Sequence, residues 1–124
     1  MTRLPDLSRF ELQCLRRLWA LGEGTARAVQ EALPDEPGYS TVRKILERLE
    51  EKGAIRRVRH EGKAWVYAPA VSRSAMVRKQ IRGLLDDLFD GEGAPLVSHL
   101  ADMKALSVDD LEAIAERLDR KEES

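Results

Sequence analysis

Between residues 39 and 52, in YSTVRKILERLEEK, the side chains able to make directional contacts with a polyanion fall together. Thr41, Arg43, Lys44 and Arg48 combine a short hydroxyl with long cations. Between them Val42, Ile45, Leu46 and Leu49 recur at i, i+3, i+4 and i+7, the spacing of one buried helix face. A helix built this way turns its hydroxyl and its cations outward. The DNA major groove admits such a rod: an arginine fork can donate two hydrogen bonds to guanine, and threonine and lysine reach bases or phosphates. Ser40 joins the contact set and is the expected N-cap, while Gly53 is expected to close the helix. The same residues also suit an ordinary amphipathic helix with a solvated charged face, so the neighbouring sequence has to decide.

Downstream lies AIRRVRHEGKAWVYAPA. Residues 55–59 and 64–68 are short runs rich in β-branched and aromatic side chains, with Glu61-Gly62 between them. Gly62 is expected to supply the positive φ of a three-residue hairpin loop with a bulge, and Pro69 to end the second strand. Arg56, Arg57, Arg59, His60 and Lys63 crowd this hairpin. Cations so placed beside a groove-binding helix would neutralise phosphates of the flanking backbone. Taken alone, they would equally serve as solvated charges guarding a sheet edge. Trp65 and Tyr67 share one strand face and are expected to pack beneath the sheet.

Two elements must hold that helix and hairpin. Residues 8–21 form the first expected helix, opened by a Ser8/Glu11 capping box and a Leu7/Leu12 staple. Its buried stripe is Leu12, Leu15, Leu18 and Trp19. Cys14, the sole cysteine, reads as a small buried hydrophobe. A thiol sensor would need a lowered pKa, and no neighbouring residue argues for one. Gly22-Glu23-Gly24 breaks the helix, and Thr25 caps a second one over 26–33, with Ala28, Val29, Ala32 and Leu33 on its apolar side. Pro34-Asp35-Glu36-Pro37-Gly38 is a turn cluster. Helix, helix, helix, hairpin is the winged helix-turn-helix pattern, assigned to residues 1–70. The expected class is mainly α (α+β), with a C-terminal helical dimerisation region.

That region, residues 71–124, carries a helix over 72–89 with Val77, Ile81, Leu84, Leu85 and Leu88 in one stripe. A break follows at residues 90–93, then a short helix over 95–101. The last helix is capped by Ser107 with Asp110 at N3 and a Leu106/Leu111 staple, and Leu111, Ile114, Ala115 and Leu118 form its stripe. One-sided helices with little tail to cover them call for a second copy, and a two-fold dimer is the commonest symmetric solution. Packing back on the head is the alternative. The terminal DRKEES is expected to fray.

Charge divides along the same line. Residues 1–70 hold 13 Lys+Arg against 10 Asp+Glu, residues 71–124 hold 8 against 12, and within 40–63 the count is 8 against 4. A locally basic head outweighs a formal net charge of −1 as a guide to the partner. A single cysteine points to a reducing compartment. With no apolar run ahead of the first helix and no stretch long enough to span a membrane, the expected location is cytoplasmic. His60 and His99 are the two histidines, and neither has the Cys or carboxylate neighbours a metal or catalytic site needs. No cofactor, metal or enzymatic activity is expected: there is no Ser/His/Asp set and no phosphate loop.

YSTVRKILERLEEKGAIRR, HEGKAWVYAPAVSR and PLVSHLADMKALSVDDLEAI together resemble the penicillinase and methicillin-resistance repressor family (BlaI/MecI type, with its copper-responsive members), from about residue 7 to residue 120. The T-V-R-x-x-L-x-R-L-x-x-K-G pattern at 41–53 and the hairpin are its most specific parts. The resemblance implies a repressor that binds a palindromic operator as a homodimer, with the contact role falling on Thr41, Arg43, Lys44 and Arg48. It also implies two release mechanisms. In β-lactam-responsive members a sensor peptidase cuts an Asn-Phe bond in the tail. Here that position falls at His99-Leu100, which counts against such a peptidase as a partner. Copper-responsive members end in a cysteine cluster, and this chain has no cysteine after Cys14. The rival functional class is a winged-helix protein–protein adaptor, separable by its lack of duplex sequence preference.

Overall fold

The computed structural model describes residues 4–123; Met1–Arg3 of the amino-terminal segment and Ser124 of the terminal DRKEES lie outside the described residues. In order come α1 (Arg9–Leu21), β1 (Gly24–Thr25), α2 (Ala26–Ala32), α3 (Tyr39–Glu51), β2 (Ile55–Glu61), β3 (Ala64–Pro69), α4 (Arg73–Leu88), α5 (Gly93–Asp102) and α6 (Val108–Glu123). The sheet is antiparallel with order β1-β3-β2. This is a winged helix-turn-helix head followed by helices, as the patterning indicates. The chain divides into two compact units, the first closing at Lys79 and the second opening at Gln80.

The first unit is built on α1. Ser8 caps it: the Glu11 N–H donates to Ser8 Oγ at 3.2 Å, and the Ser8 N–H donates to Glu11 Oε1 at 2.7 Å. Cys14, Leu15 and Leu18 are fully buried against Val29 of α2 and Val42, Leu46 and Leu49 of α3. Leu12 and Trp19, expected in the buried stripe, are only partly covered and pack at its margin. The α1 stripe turns instead through Glu11, Cys14, Leu15 and Leu18, because the position one turn before Leu15 is held by a carboxylate with its own partner. Thr25 caps α2, accepting from the Ala28 N–H at 3.2 Å. The Gly24–Thr25 pair also adds to β3, opposite Tyr67 and Val66, a strand too short to leave a pattern in the sequence.

The first compact unit runs on past residue 70. Val71 O accepts the Trp19 Nε1 proton at 3.0 Å, and Met76, on the first turns of α4, is 1% exposed in the head core. Burial of an unbranched thioether there explains why the compact unit extends to Lys79.

In the second unit α4 ends at a reversal in which Asp90 and Gly91 both adopt positive φ, 52° and 80°. α6 begins with the Ser107/Asp110 reciprocal pair, at 3.1 and 2.9 Å. It then continues to Glu123, so Asp119–Glu122, expected to fray, are helical. Glu116 stands four residues before Arg120, and Arg120 and Lys121 in the last turn suit the negative end of the helix dipole.

Candidate nucleic-acid interface

The third helix, α3, turns its polar residues away from the core. Val42, Ile45, Leu46 and Leu49 are buried, and Ser40, Thr41, Arg43, Lys44 and Arg48 are all exposed. Its start differs from expectation. Gly38, not Ser40, is the N-cap, with extended φ, ψ of −60° and 144°, and Gly38 O accepts the Val42 N–H at 3.1 Å. The helix has therefore already begun at Tyr39, and Ser40 lies inside its first turn. Glycine has no side-chain oxygen, so no cap acceptor occupies the first-turn N–H groups. Free N–H groups at a helix start are donors suited to a phosphate oxygen. The far end closes as expected. Gly53, at φ 80°, donates to Glu50 O at 3.0 Å and Ala54 to Leu49 O at 2.9 Å, the paired bonds of a Schellman motif.

The hairpin also differs in detail. Glu61 pairs with Ala64, so the loop is two residues, Gly62-Lys63, rather than three. Gly62 has φ 62°, the positive value a II′-type turn requires at its first position. The bulge lies in the strand instead: Arg57 faces Tyr67 and Arg59 faces Val66, leaving Val58 without a partner. One extra residue reverses the alternation. Arg57 and His60 would otherwise point to opposite faces; with the bulge both stand over the face carrying Tyr67 and Trp65.

On that face the side chains interlock. The His60 and Trp65 rings lie 3.6 Å apart, centroid to centroid. The Arg57 guanidinium sits 4.9 Å from the Trp65 ring centroid and its Nε lies 3.0 Å from Glu50 Oε2 on α3. Arg57 thus bridges the hairpin to α3. Arg59 is likewise engaged, bonded to Glu23 just before β1. The Arg59 bond holds the Glu23 carboxyl below its usual range, and Glu23 in turn raises the Arg59 guanidinium. Arg43 forms a loose 3.7 Å pair with Glu47 one turn on. Among the described residues, Lys44, Arg48, Arg56 and Lys63 form no ion pair within the chain. A cleft of about 250 Å³ separates helix from hairpin, lined by Tyr39, Arg43 and Glu47 on one side and Arg57, Lys63 and Trp65 on the other.

The ten residues singled out in the sequence therefore lie on one helix and the adjoining hairpin, but in two groups. Ser40, Thr41, Lys44, Arg48, Arg56 and Lys63 present groups to solvent that form no ion pair among the described residues, while Arg57, Arg59 and His60, and more loosely Arg43, are tied within the protein. Sequence reasoning missed Arg27, whose guanidinium lies 5.2 Å from the Tyr39 ring centroid, adding a cation where α3 begins. That contact joins the start of α2 to the start of α3, and no local pattern around Arg27 signals it. It also missed Lys52, the anchor of α3: its Nζ donates to Glu11 Oε1 at 2.7 Å and to Asp6 O at 3.1 Å. Burial opposes ionisation of Glu11, but the Lys52 ammonium and the Ser8 bonds outweigh it and keep the carboxyl below its usual range.

Among the described residues no group of three His, Cys, Asp or Glu side chains is placed to hold a metal ion. No described helix is long and apolar enough to cross a membrane. Cys14 is fully buried, and burial pushes its thiol up to about 12.

A recognition helix, a supporting helix pair and a basic hairpin define a winged-helix transcriptional regulator. The sequence signature of the penicillinase repressor family spans residues 7–120, and the chain belongs to that family, which is one of transcriptional repressors and not of enzymes. Among solved structures it is similar to the DNA-binding domain of the repressor BlaI, with 28% identity over 60% of this chain and 92% of that one, and a TM-score of 0.52. It shares its fold with wild-type MarR from E. coli, at 17% identity over 93% of this chain and 77% of that one, with a TM-score of 0.54. A mutant MarR from E. coli, complexed with operator DNA, has the same fold, at 17% identity over 93% and 75% and a TM-score of 0.54. No curated protein matches by sequence.

Proposed function

We propose that this protein is a transcriptional repressor that binds a palindromic DNA operator as a homodimer. The observation that carries the reading is the exposure of Thr41, Arg43, Lys44 and Arg48 on one face of α3, beside a hairpin whose Arg56 and Lys63 are exposed. Helix α3 enters the major groove, where Arg43 and Thr41 read base edges. Arg56 and Lys63 lie along the flanking phosphates and set affinity rather than sequence preference. Arg57, Arg59 and His60 act indirectly: they fix the hairpin against α3 and the β1 edge, so the phosphate-binding cations arrive at a set distance from the helix. This refines the expectation that all five hairpin residues touch DNA.

The tail supplies the second head. Val77, Ile81, Leu84 and Leu88 on α4 and Leu111, Ile114 and Leu118 on α6 are all exposed in the single chain, Leu88 at 72% and Leu118 at 59%, with Leu85 half-buried among them. Apolar surface on this scale favours a partner, and a two-fold pair covers it with the fewest distinct contacts. Two linked heads gain avidity, worth a factor of roughly 100 or more over one. Repression follows from occupancy of a promoter. Nothing in α5 around His99-Leu100 supports a sensor peptidase as partner. The test is a fluorescence-anisotropy titration against duplexes selected from a random pool: tight binding to a palindromic consensus is expected, and equal, weak binding to all duplexes would favour the adaptor reading.

A further inference from the structure

A second basic cleft lies on the head, built by residues that belong to neither α3 nor the hairpin. Arg16, Arg17, Trp19 and Ala20 of α1 and Arg73, the first residue of α4, line a space of about 390 Å³. Three arginines line it, and among the described residues no carboxylate does. The sequence excludes local neutralisation as well. The positions three and four residues from Arg16 and Arg17 are Leu12, Gln13, Cys14, Trp19, Ala20 and Leu21; those around Arg73 are Pro69, Ala70, Met76 and Val77. In a chain with 22 Asp+Glu among 124 residues, that leaves three forks without the one-turn partner that Arg43 finds in Glu47.

From this cleft we infer a binding site for a small molecule carrying two or more phosphate groups. Guanidinium forks match phosphate oxygens in bidentate pairs. Two phosphates bring roughly three negative charges, at about 1.5 each near neutrality, against three arginines; a single carboxylate would leave most of the positive charge unmet. The cleft falls within the size range of small-molecule sites and exceeds what one inorganic phosphate fills. Its wall is prepared for the remainder of such a ligand. The Trp19 indole is held by its Nε1–H bond to Val71 O at 3.0 Å, giving a fixed apolar face. Ala20, one turn from Arg16, contributes only a methyl group and keeps the floor open.

The full-length chain carries two tryptophans, Trp19 and Trp65, so a Trp65→Phe background leaves Trp19 as the sole indole reporter. Titration with pyrophosphate, without DNA, is expected to give a saturable change in Trp19 emission with a dissociation constant below about 1 mM at roughly 0.15 M salt. Adding Arg16→Gln and Arg73→Gln is expected to weaken it at least about tenfold, with the far-ultraviolet circular dichroism unchanged. Calorimetry on the unsubstituted chain provides a readout independent of the indole. A response reproduced by sodium chloride at equal ionic strength, or one unaltered by the double substitution, would overturn the site. So would a Trp19 response to operator duplex but not to pyrophosphate, which would make these arginines contacts to flanking DNA.

Discussion

Lys52 Nζ lies 2.7 Å from Glu11 Oε1, joining the C-terminal end of α3 to the first turn of α1. Glu11 is 2% exposed, and its other oxygen, Oε2, has no hydrogen-bond partner among the described residues. The pair therefore fixes α3 in position while leaving a half-satisfied buried carboxylate. Removing the lysine strands that charge. Lys52→Met is expected to destabilise the head by about 1–3 kcal/mol, below the usual cost of breaking a buried pair because Lys52 itself is partly exposed. Urea unfolding of both proteins measures it.

The same pair gives the head an acid-sensitive component of stability. Glu11 has a lowered pKa in the folded chain, so the native state binds its proton more weakly than the unfolded state does. Its contribution is fully present above the unfolded carboxylate range and is lost as pH falls through the lower folded value. Glu11→Gln should remove that component, flattening the acid limb of a stability-versus-pH curve relative to the unsubstituted chain. An unchanged acid limb would place the sensitivity elsewhere.

Separate roles for the cations predict separate phenotypes. Lys63→Ala and Arg56→Ala should each weaken binding to every duplex alike and reduce the steepness of the log K against log salt plot by roughly 0.9 per lost phosphate contact. Arg43→Ala should instead narrow the gap between the best and a mismatched duplex, by about 1–3 kcal/mol. Arg57→Ala should lower affinity while largely preserving the salt slope, since Arg57 holds the hairpin through Glu50 and Trp65 rather than meeting a phosphate. Anisotropy titrations at several salt concentrations read all four.

Much of this arrangement was legible in the sequence because it rests on local chemistry. The Ser8/Glu11, Thr25 and Ser107/Asp110 caps are set by residues three apart, and the α3 stripe by the helical period. What was not legible depends on partners distant in the chain. Gly38 begins α3 because the turn at Asp35 and Glu36, both at positive φ, delivers the chain two residues earlier than a Ser40 cap implies. The Val58 bulge is a property of pairing with β3, and no residue type announces it. The tethering of Arg59 needs Glu23, far back along the chain before β1, so composition alone counted it as a free cation. Met76 joining the head core from α4 is a packing event that the turn at residue 70 conceals.

Cys14 should be chemically silent. Its thiol is fully buried and pushed up to about 12, so almost no thiolate exists near neutrality. Ellman's reagent is expected to label it only as fast as the head opens, and promptly in denaturant. Prompt labelling of the native chain would restore a redox role.

The tail stripe should control assembly and, through it, occupancy. Ile81→Arg with Ile114→Arg is expected to convert the proposed dimer to a folded monomer and to weaken operator binding by a factor of about 100 or more. Sedimentation equilibrium and anisotropy on the same sample separate that effect from unfolding.

The most direct measurement is hydroxyl-radical footprinting of the full-length protein on a duplex selected from a random pool. Two protected half-sites are predicted on one side of the duplex, related by a two-fold axis and separated by about one helical turn or slightly more, with the log K against log salt slope near roughly −7 for about four phosphates per head. A single unpaired footprint, or protection that follows no sequence, would contradict the account of two coupled heads reading DNA through α3.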